Sequence, residues 1–307
     1  MADLKVHRPE PPAAQALGWR PAARSRVAAA GAPRSPRWRL VSSAAVLSVL
    51  TLAVLVVPLV VGLNQQVVDL SAAYRPPRPA HPFGTDELGR DVLLRCVYGL
   101  RVSLAVGLVA ALVSTLLGTA VGAVAGAVGG WTDRLLMRVV DAVASVPHLL
   151  LGIVIVAVLR PSLSAVVVSI ALTHWLSSAR IVRSEILSLR ARPFVDAAIV
   201  GGSSRLRIMA RHLLPNVAPH VLLAATLMVP HAVWHETALS FLGLGLPPHL
   251  ASIGNMINDA QRSLLTGGWW MSLAPGVVLI VATLAVSGLG GVWRDRLNPR
   301  RRSELSW

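Results

Sequence analysis

Apolar residues in this chain gather into long runs rather than into half-polar stripes. Six runs approach or reach the roughly 20 residues that a helix needs to cross a bilayer. They are Leu40–Leu63, Leu100–Val128, Val139–Leu159, Leu163–Leu176, Val217–Gly243 and Met271–Val292. The fourth is the shortest. The second is long enough to tilt or to extend past the lipid. A helix satisfies its own backbone polar groups, which lipid cannot do, and no ten-residue alternation of a membrane barrel is visible. The pattern predicts an all-α, polytopic membrane protein with six transmembrane helices over residues 40–293.

The polar segments between these runs have their own character. Residues 1–39 are rich in Pro, Ala and Arg and predict a disordered tail. Because that tail, rather than an apolar core, follows the first charges, the N-terminus does not read as a signal peptide. After the first helix, Pro76, Pro77, Pro79 and Pro82 stiffen a loop. Thr85 or Asp86 is then placed to cap a new helix, and Val92–Leu100 reads as an interfacial lead-in to the second span. Trp131–Arg138 reads as a short turn. Residues 177–216 form the longest loop, with a helical pattern at Ile181, Ile186 and Leu189, a Pro193 boundary, a Gly201-Gly202 break and an amphipathic piece from Arg205 to Leu214. Residues 294–307 form a second tail.

Composition agrees with a membrane protein: 54% of the 307 residues are hydrophobic and 14% charged, against about 25% charged in an ordinary soluble domain. The net charge of +15 does not point to nucleic acid, because the charges are sorted by side. The N-terminal tail, Trp131–Arg138, Arg180–Arg211 and the segment after Val292 hold 22 of the 29 Lys and Arg residues. Basic residues concentrate on the cytoplasmic side of a membrane protein, so both termini are expected in the cytoplasm, in contact with anionic lipid. A lone Cys96 excludes an internal disulfide.

Few residues are equipped for chemistry. ATP hydrolysis is excluded, since a P-loop needs a lysine in a glycine-rich turn and the sole lysine is Lys5 in the tail. No nucleophile elbow, zinc-protease helix or dinucleotide fingerprint is present, so no enzyme and no cofactor is expected. Ionisable groups inside membrane segments are costly and default to functional candidates. Glu236, with His235 and Ser240 beside it, and Asp141 are therefore candidates for a translocation pathway or for subunit assembly. Asp141 equally suits a helix N-terminus. His231 and His235, four apart, share a helix face and form half of a metal site. Glu236 follows His235 directly and points elsewhere, and no third ligand is evident, so no metal is expected. Gly118, Gly122 and Gly126 lie on one face of the second helix, where they allow another helix to approach closely.

Three segments carry a family resemblance. Asp196-Ala197-Ala198, then Gly202-Ser203, Arg205, Ile208 and Leu214-Pro215 resemble the coupling loop of ABC-importer permeases, with Asp196 in place of the usual Glu and Ile199 where a polar residue is common. Gly84-Thr85-Asp86 with Gly89-Arg90-Asp91 resembles the second permease subunit of dipeptide and oligopeptide importers. So does Glu236 followed by Leu239-Ser240-Phe241-Leu242-Gly243-Leu244-Gly245, Pro247-Pro248 and Gly254-Asn255-Met256. The resemblance covers roughly residues 82–300. It implies a type I importer permease bundle in a prokaryotic cell membrane. The implied partners are a homologous permease, one or two ATP-binding subunits and an extracytoplasmic binding protein, with alternating access as the mechanism. The cargo implied is a di- or oligopeptide; nickel, a metal chelate, glutathione or an oligosaccharide are alternatives within the family. A stand-alone proton-driven transporter using Asp141 and Glu236 is the alternative of another class, and the internal repeats that such transporters often carry are not visible.

Overall fold

The computed structural model describes residues 37–61, 68–265 and 267–297. The two expected tails, apart from their few residues next to α1 and α10, and the end of the first span near Asn64 lie outside the described residues. The described chain is helical throughout, with no β-strand. The long helices are α1 (Arg37–Val60), α2 (Val92–Val128), α5 (Leu163–Arg190), α8 (Leu214–Phe241) and α10 (Trp270–Leu297). Each is long and apolar enough to cross a bilayer, α8 together with the turns that precede it. Between them stand α3 (Gly130–Ala144), α4 (His148–Leu159), α6 (Pro193–Val200), α7 (Arg205–Ile208) and α9 (Ile253–Leu264).

Four expectations change. The third span is broken: α3 and α4 meet at an 86° bend, so six crossings require this bent pair to count as one. Pro147 at the start of α4 explains the break, because proline disfavours helical backbone in the residue before it. Residues 131–138 are the start of α3 rather than a turn. The fourth span is twice the expected length, running unbroken through Ser177 to Arg190 and absorbing the first third of the polar loop. Val92–Leu100 is the continuous start of the 37-residue α2, whose cap is Asp91, accepting from the Leu94 amide, rather than Thr85 or Asp86.

α2 and α5 form the central pair. A β-carbon at Gly118 or Gly122 would collide with the carbonyl oxygen of Trp175 or Ala179, and one at Gly126 would lie 2.9 Å from Ile186 Cγ2. The glycine face is thus packed against a helix of the same chain. α8 closes over this pair, and Val106, Ala110, Ala111, Val166, Ile170, Ala232 and Leu239 fill the space between them. α1 lies against α10 with most of its surface uncovered, as lipid-facing residues are.

At one end of the bundle the segment Gly84–Asp91 folds into a polar plug. Asp86, 1% exposed, accepts the backbone amides of Leu88 and Arg90 on one oxygen. Its other oxygen accepts Arg90 Nε and Arg95 Nη1, both at 2.7 Å. Arg95 also donates to Asp259 on α9 at 3.2 Å. Trp270 Nε1 donates to the Thr85 carbonyl at 3.1 Å. Gly89 has φ +76°, and a side chain there would strike the Asp69 carbonyl.

Gly122→Leu is expected to lower the yield of monodisperse protein in detergent several-fold, because overpacking of a tight contact costs about 1–3 kcal/mol or more. Asp86→Ala, which takes from the buried Arg95 its 2.7 Å carboxylate partner and leaves it the 3.2 Å contact with Asp259, is expected to cost about 3–5 kcal/mol. Thermal unfolding in detergent, followed by size-exclusion chromatography, measures both.

Candidate functional site

The loop after α5 is built to project. Pro193 opens α6, where its missing N–H is no loss. α6 ends in a Schellman turn: the Ser203 amide bonds the Ala198 carbonyl at 3.0 Å, and the Gly202 amide bonds the Ile199 carbonyl at 2.9 Å. Gly202 takes the left-handed conformation this motif demands, at φ +76° with open space around its α-carbon. Ser204 then caps α7. A single π-helical stretch, Met209–Leu213, joins α7 to α8, with the Leu214 amide reaching back to the Met209 carbonyl.

Within this loop inward and outward residues are cleanly divided. Val195 and Ile208 are buried against Ala123 of α2, Val182 and Ile186 of α5, and Leu213 and Val217, with Ala198 and Leu214 packed alongside. Asp196, Ala197, Gly202, Arg205 and Pro215 are exposed, and Ser203 is partly so. Phe194, Ile199, Val200 and Leu206 are apolar and uncovered, Val200 at 89% exposure. Of the residues singled out for coupling, Ile208 therefore faces inward and holds the loop in place instead of presenting itself to a partner. The base of the loop is tied down by Arg183 of α5, which grips the Asp133 carboxylate with two nitrogens, the second at 2.6 Å. Arg190 donates to the Gly126 carbonyl at 2.8 Å.

Glu236 is 0% exposed, enclosed by the chain's own helices. It accepts from Ser240 Oγ at 2.8 Å, and Ser240 Oγ in turn accepts the Leu246 amide at 3.1 Å. Asn255 donates to the carbonyls of Leu246, Pro247 and Leu250. The Glu236–Met256 motif is thus a fastening of the α8–α9 turn. A β-carbon at Gly254 would lie 2.5 Å from the Thr237 carbonyl oxygen, which is why that position is glycine.

A polar recess lies in the elbow of α3 and α4. A cavity of about 390 Å³ opens there, lined by His148, Thr173, His174, Arg180, His231 and His235 among apolar residues. His235 is half-buried on its wall. Asp141 stands exposed nearby and pairs with Arg180 at 2.9 Å. His148 and His174 were missed in the sequence, because nothing in their spacing links residues on three separate helices.

Five long apolar helices with a buried polar plug and a loop of uncovered apolar residues are the architecture of a polytopic membrane protein. The comparisons agree. Residues 118–303 match the family model of the binding-protein-dependent transport system inner membrane component, and the chain belongs to that family, as a permease subunit with several membrane spans. It is 39% identical to a Brucella abortus protein described, provisionally, as a peptide transport system permease, covering 84% of this chain and 86% of that one. It is 35% identical to the dipeptide transport system permease protein DppC of Bacillus subtilis over 74% of this chain and 71% of that one. It is 36% identical to the nickel transport system permease protein NikC of Escherichia coli over 88% and 97%. In fold it is similar to a chain of the inward-facing MetNI methionine ABC transporter, at TM-score 0.55 and 18% identity, covering 70% of this chain and 96% of that one.

Ser240→Ala is expected to leave the Glu236 carboxylate and the Leu246 amide without their shared partner, at a cost of about 1–3 kcal/mol. Its unfolding midpoint in detergent should fall by several degrees, while a surface change such as Arg211→Ala should leave it unmoved.

Proposed function

We propose that this chain is one of two homologous permease subunits of an importer for di- or oligopeptides. In this reading the α6–α7 loop docks on a separate ATP-binding subunit, and an extracytoplasmic binding protein delivers cargo to the opposite end. Both termini then lie on the ATPase side. The observation that carries the reading is the loop itself: Val195 and Ile208 anchor it inward while Phe194, Ile199, Val200 and Leu206 remain uncovered. Apolar anchors on two short helices are what a partner's groove accepts, and basic residues crowd around them at Arg192, Arg205, Arg207 and Arg211. The sequence holds no P-loop, so in this reading the energy of hydrolysis enters through this contact. Nucleotide-driven movement of the loop shifts the bundle between states open to either side. Peptide as cargo rests on the peptide and dipeptide relatives. Nickel or a metal chelate is the second reading, since the nickel relative is matched over 97% of its length.

The first test is to purify the tagged chain from its native membrane in mild detergent and to identify by mass spectrometry what accompanies it. Stoichiometric ATPases and a second permease are expected; a chain that emerges alone overturns the proposal. Competition between labelled dipeptide and labelled nickel for uptake then separates the two cargoes.

Gly202→Arg sharpens the test. The left-handed conformation costs a non-glycine residue about 1–2 kcal/mol, too little to unfold the subunit, and no atom of the chain lies in the way. The variant should insert normally yet lose at least about tenfold in uptake, by the steepness of rate on misplacement. Normal uptake by Gly202→Arg would sink the docking role.

A further inference from the structure

Three histidines from three different helices converge on the cavity in the α3–α4 elbow. His148 opens α4, His174 lies on α5 and His235 on α8. The ring centroids of His174 and His235 are 4.2 Å apart, those of His148 and His235 4.8 Å, and those of His148 and His174 5.4 Å. Each ring can present one nitrogen within 4.8 Å of the other two. Tetrahedral bonds of about 2.0–2.1 Å to imidazole nitrogen require ligand nitrogens about 3.3 Å apart, so ring rotations of the order of 1 Å complete the set. His148 is exposed and the other two are partly so, which leaves the rings free to make that turn.

One of the three is already oriented. Nδ1 of His174 lies 3.2 Å from the Ile170 carbonyl oxygen and 2.8 Å from Thr173 Oγ1. A carbonyl only accepts, so Nδ1 carries the proton. The Thr173 hydroxyl spends its own proton on the Ser169 carbonyl at 2.9 Å, which leaves its oxygen as an acceptor too. Nε2 of His174 is therefore the nitrogen with the free lone pair. A ligating histidine that donates its second nitrogen to a carbonyl is the usual arrangement around a bound metal. The charge around the cavity does not oppose a cation strongly. Arg180 is its one cationic lining residue, and Asp141 neutralises it at 2.9 Å.

We propose that His148, His174 and His235 bind one divalent transition-metal ion of the zinc, nickel or cobalt class, with the remaining coordination position facing the cavity. Neutral imidazole suits these ions, while calcium and magnesium prefer oxygen. Because the ligands come from α4, α5 and α8, the bound ion ties the bent third span to the two helices it faces. The site does not depend on which cargo is carried, and its failure would leave the docking reading untouched.

The test uses the full chain, with its co-purifying subunits and an affinity tag free of histidine, titrated with Co²⁺. Saturable binding of one ion per chain is expected, with the visible absorption of a four- or five-coordinate site, reversed by Zn²⁺. Zn²⁺ should raise the unfolding midpoint of the chain by several degrees. His148→Gln, His174→Gln and His235→Gln should each weaken binding at least about tenfold and remove the thermal shift, whereas His220→Gln should do neither. X-ray absorption on the zinc-loaded wild-type protein reads the ligands without any variant, and should give three imidazole nitrogens at about 2.0 Å. An oxygen-only shell, no saturable binding below about 100 µM, or full affinity in the three single variants would overturn the proposal.

Discussion

Where α2 passes α5, no side chain separates the two backbones at Gly118 and Gly122, and the fold is organised around that contact. Lipid gives helices no hydrophobic reason to associate, so close packing has to hold them. Once the two backbones touch, the rest of α5 is fixed in space. Toward one end it carries Val182 and Ile186, which seat the α6–α7 loop. Toward the other it carries Ser169, which donates to the Gly152 carbonyl of α4, and Thr173, which orients His174. The exposed loop and the histidine cavity are thus both referenced to one glycine stripe.

The two ends of the bundle are built on opposite principles. At the plug end, Asp86 and Arg95 are almost wholly buried and paired with each other, Asp86 also accepting two backbone amides and Arg95 donating to Asp259. Breaking such a pair is far more costly than the pair itself is worth, so the plug holds one arrangement. At the loop end the polar contacts are peripheral, and apolar residues are left uncovered. Burial is concentrated where the chain closes on itself, and uncovered apolar side chains at the loop.

Much of this was legible in the sequence, for reasons that differ by element. Long apolar runs announce membrane helices whatever their packing, so five of the six were found directly. The bend before Pro147 was hidden inside a continuous apolar run, because hydropathy does not register the backbone constraint a proline imposes. The full length of α5 was hidden for the opposite reason: Arg180, Arg183 and Glu185 mark a loss of hydropathy but no loss of helix. Glu236 stood out as an acid among apolar residues, yet only the folded chain shows it holding Ser240, whose hydroxyl oxygen in turn accepts the Leu246 amide. His148 and His174 had no signal of their own, since their significance lies in a convergence that no linear spacing encodes.

The π-helical stretch at Met209–Leu213 has a mechanical consequence. It lets the chain run from Arg205 to Phe241 as one helical span of 37 residues, about 55 Å long at 1.5 Å per residue, with Pro219 and Pro230 inside it. The inserted residue keeps the span continuous while rotating everything beyond it about its axis. The tip bearing Leu206 and the stretch that carries His235 and Glu236 therefore belong to one span, along which Pro219 and Pro230 each withhold a backbone hydrogen bond.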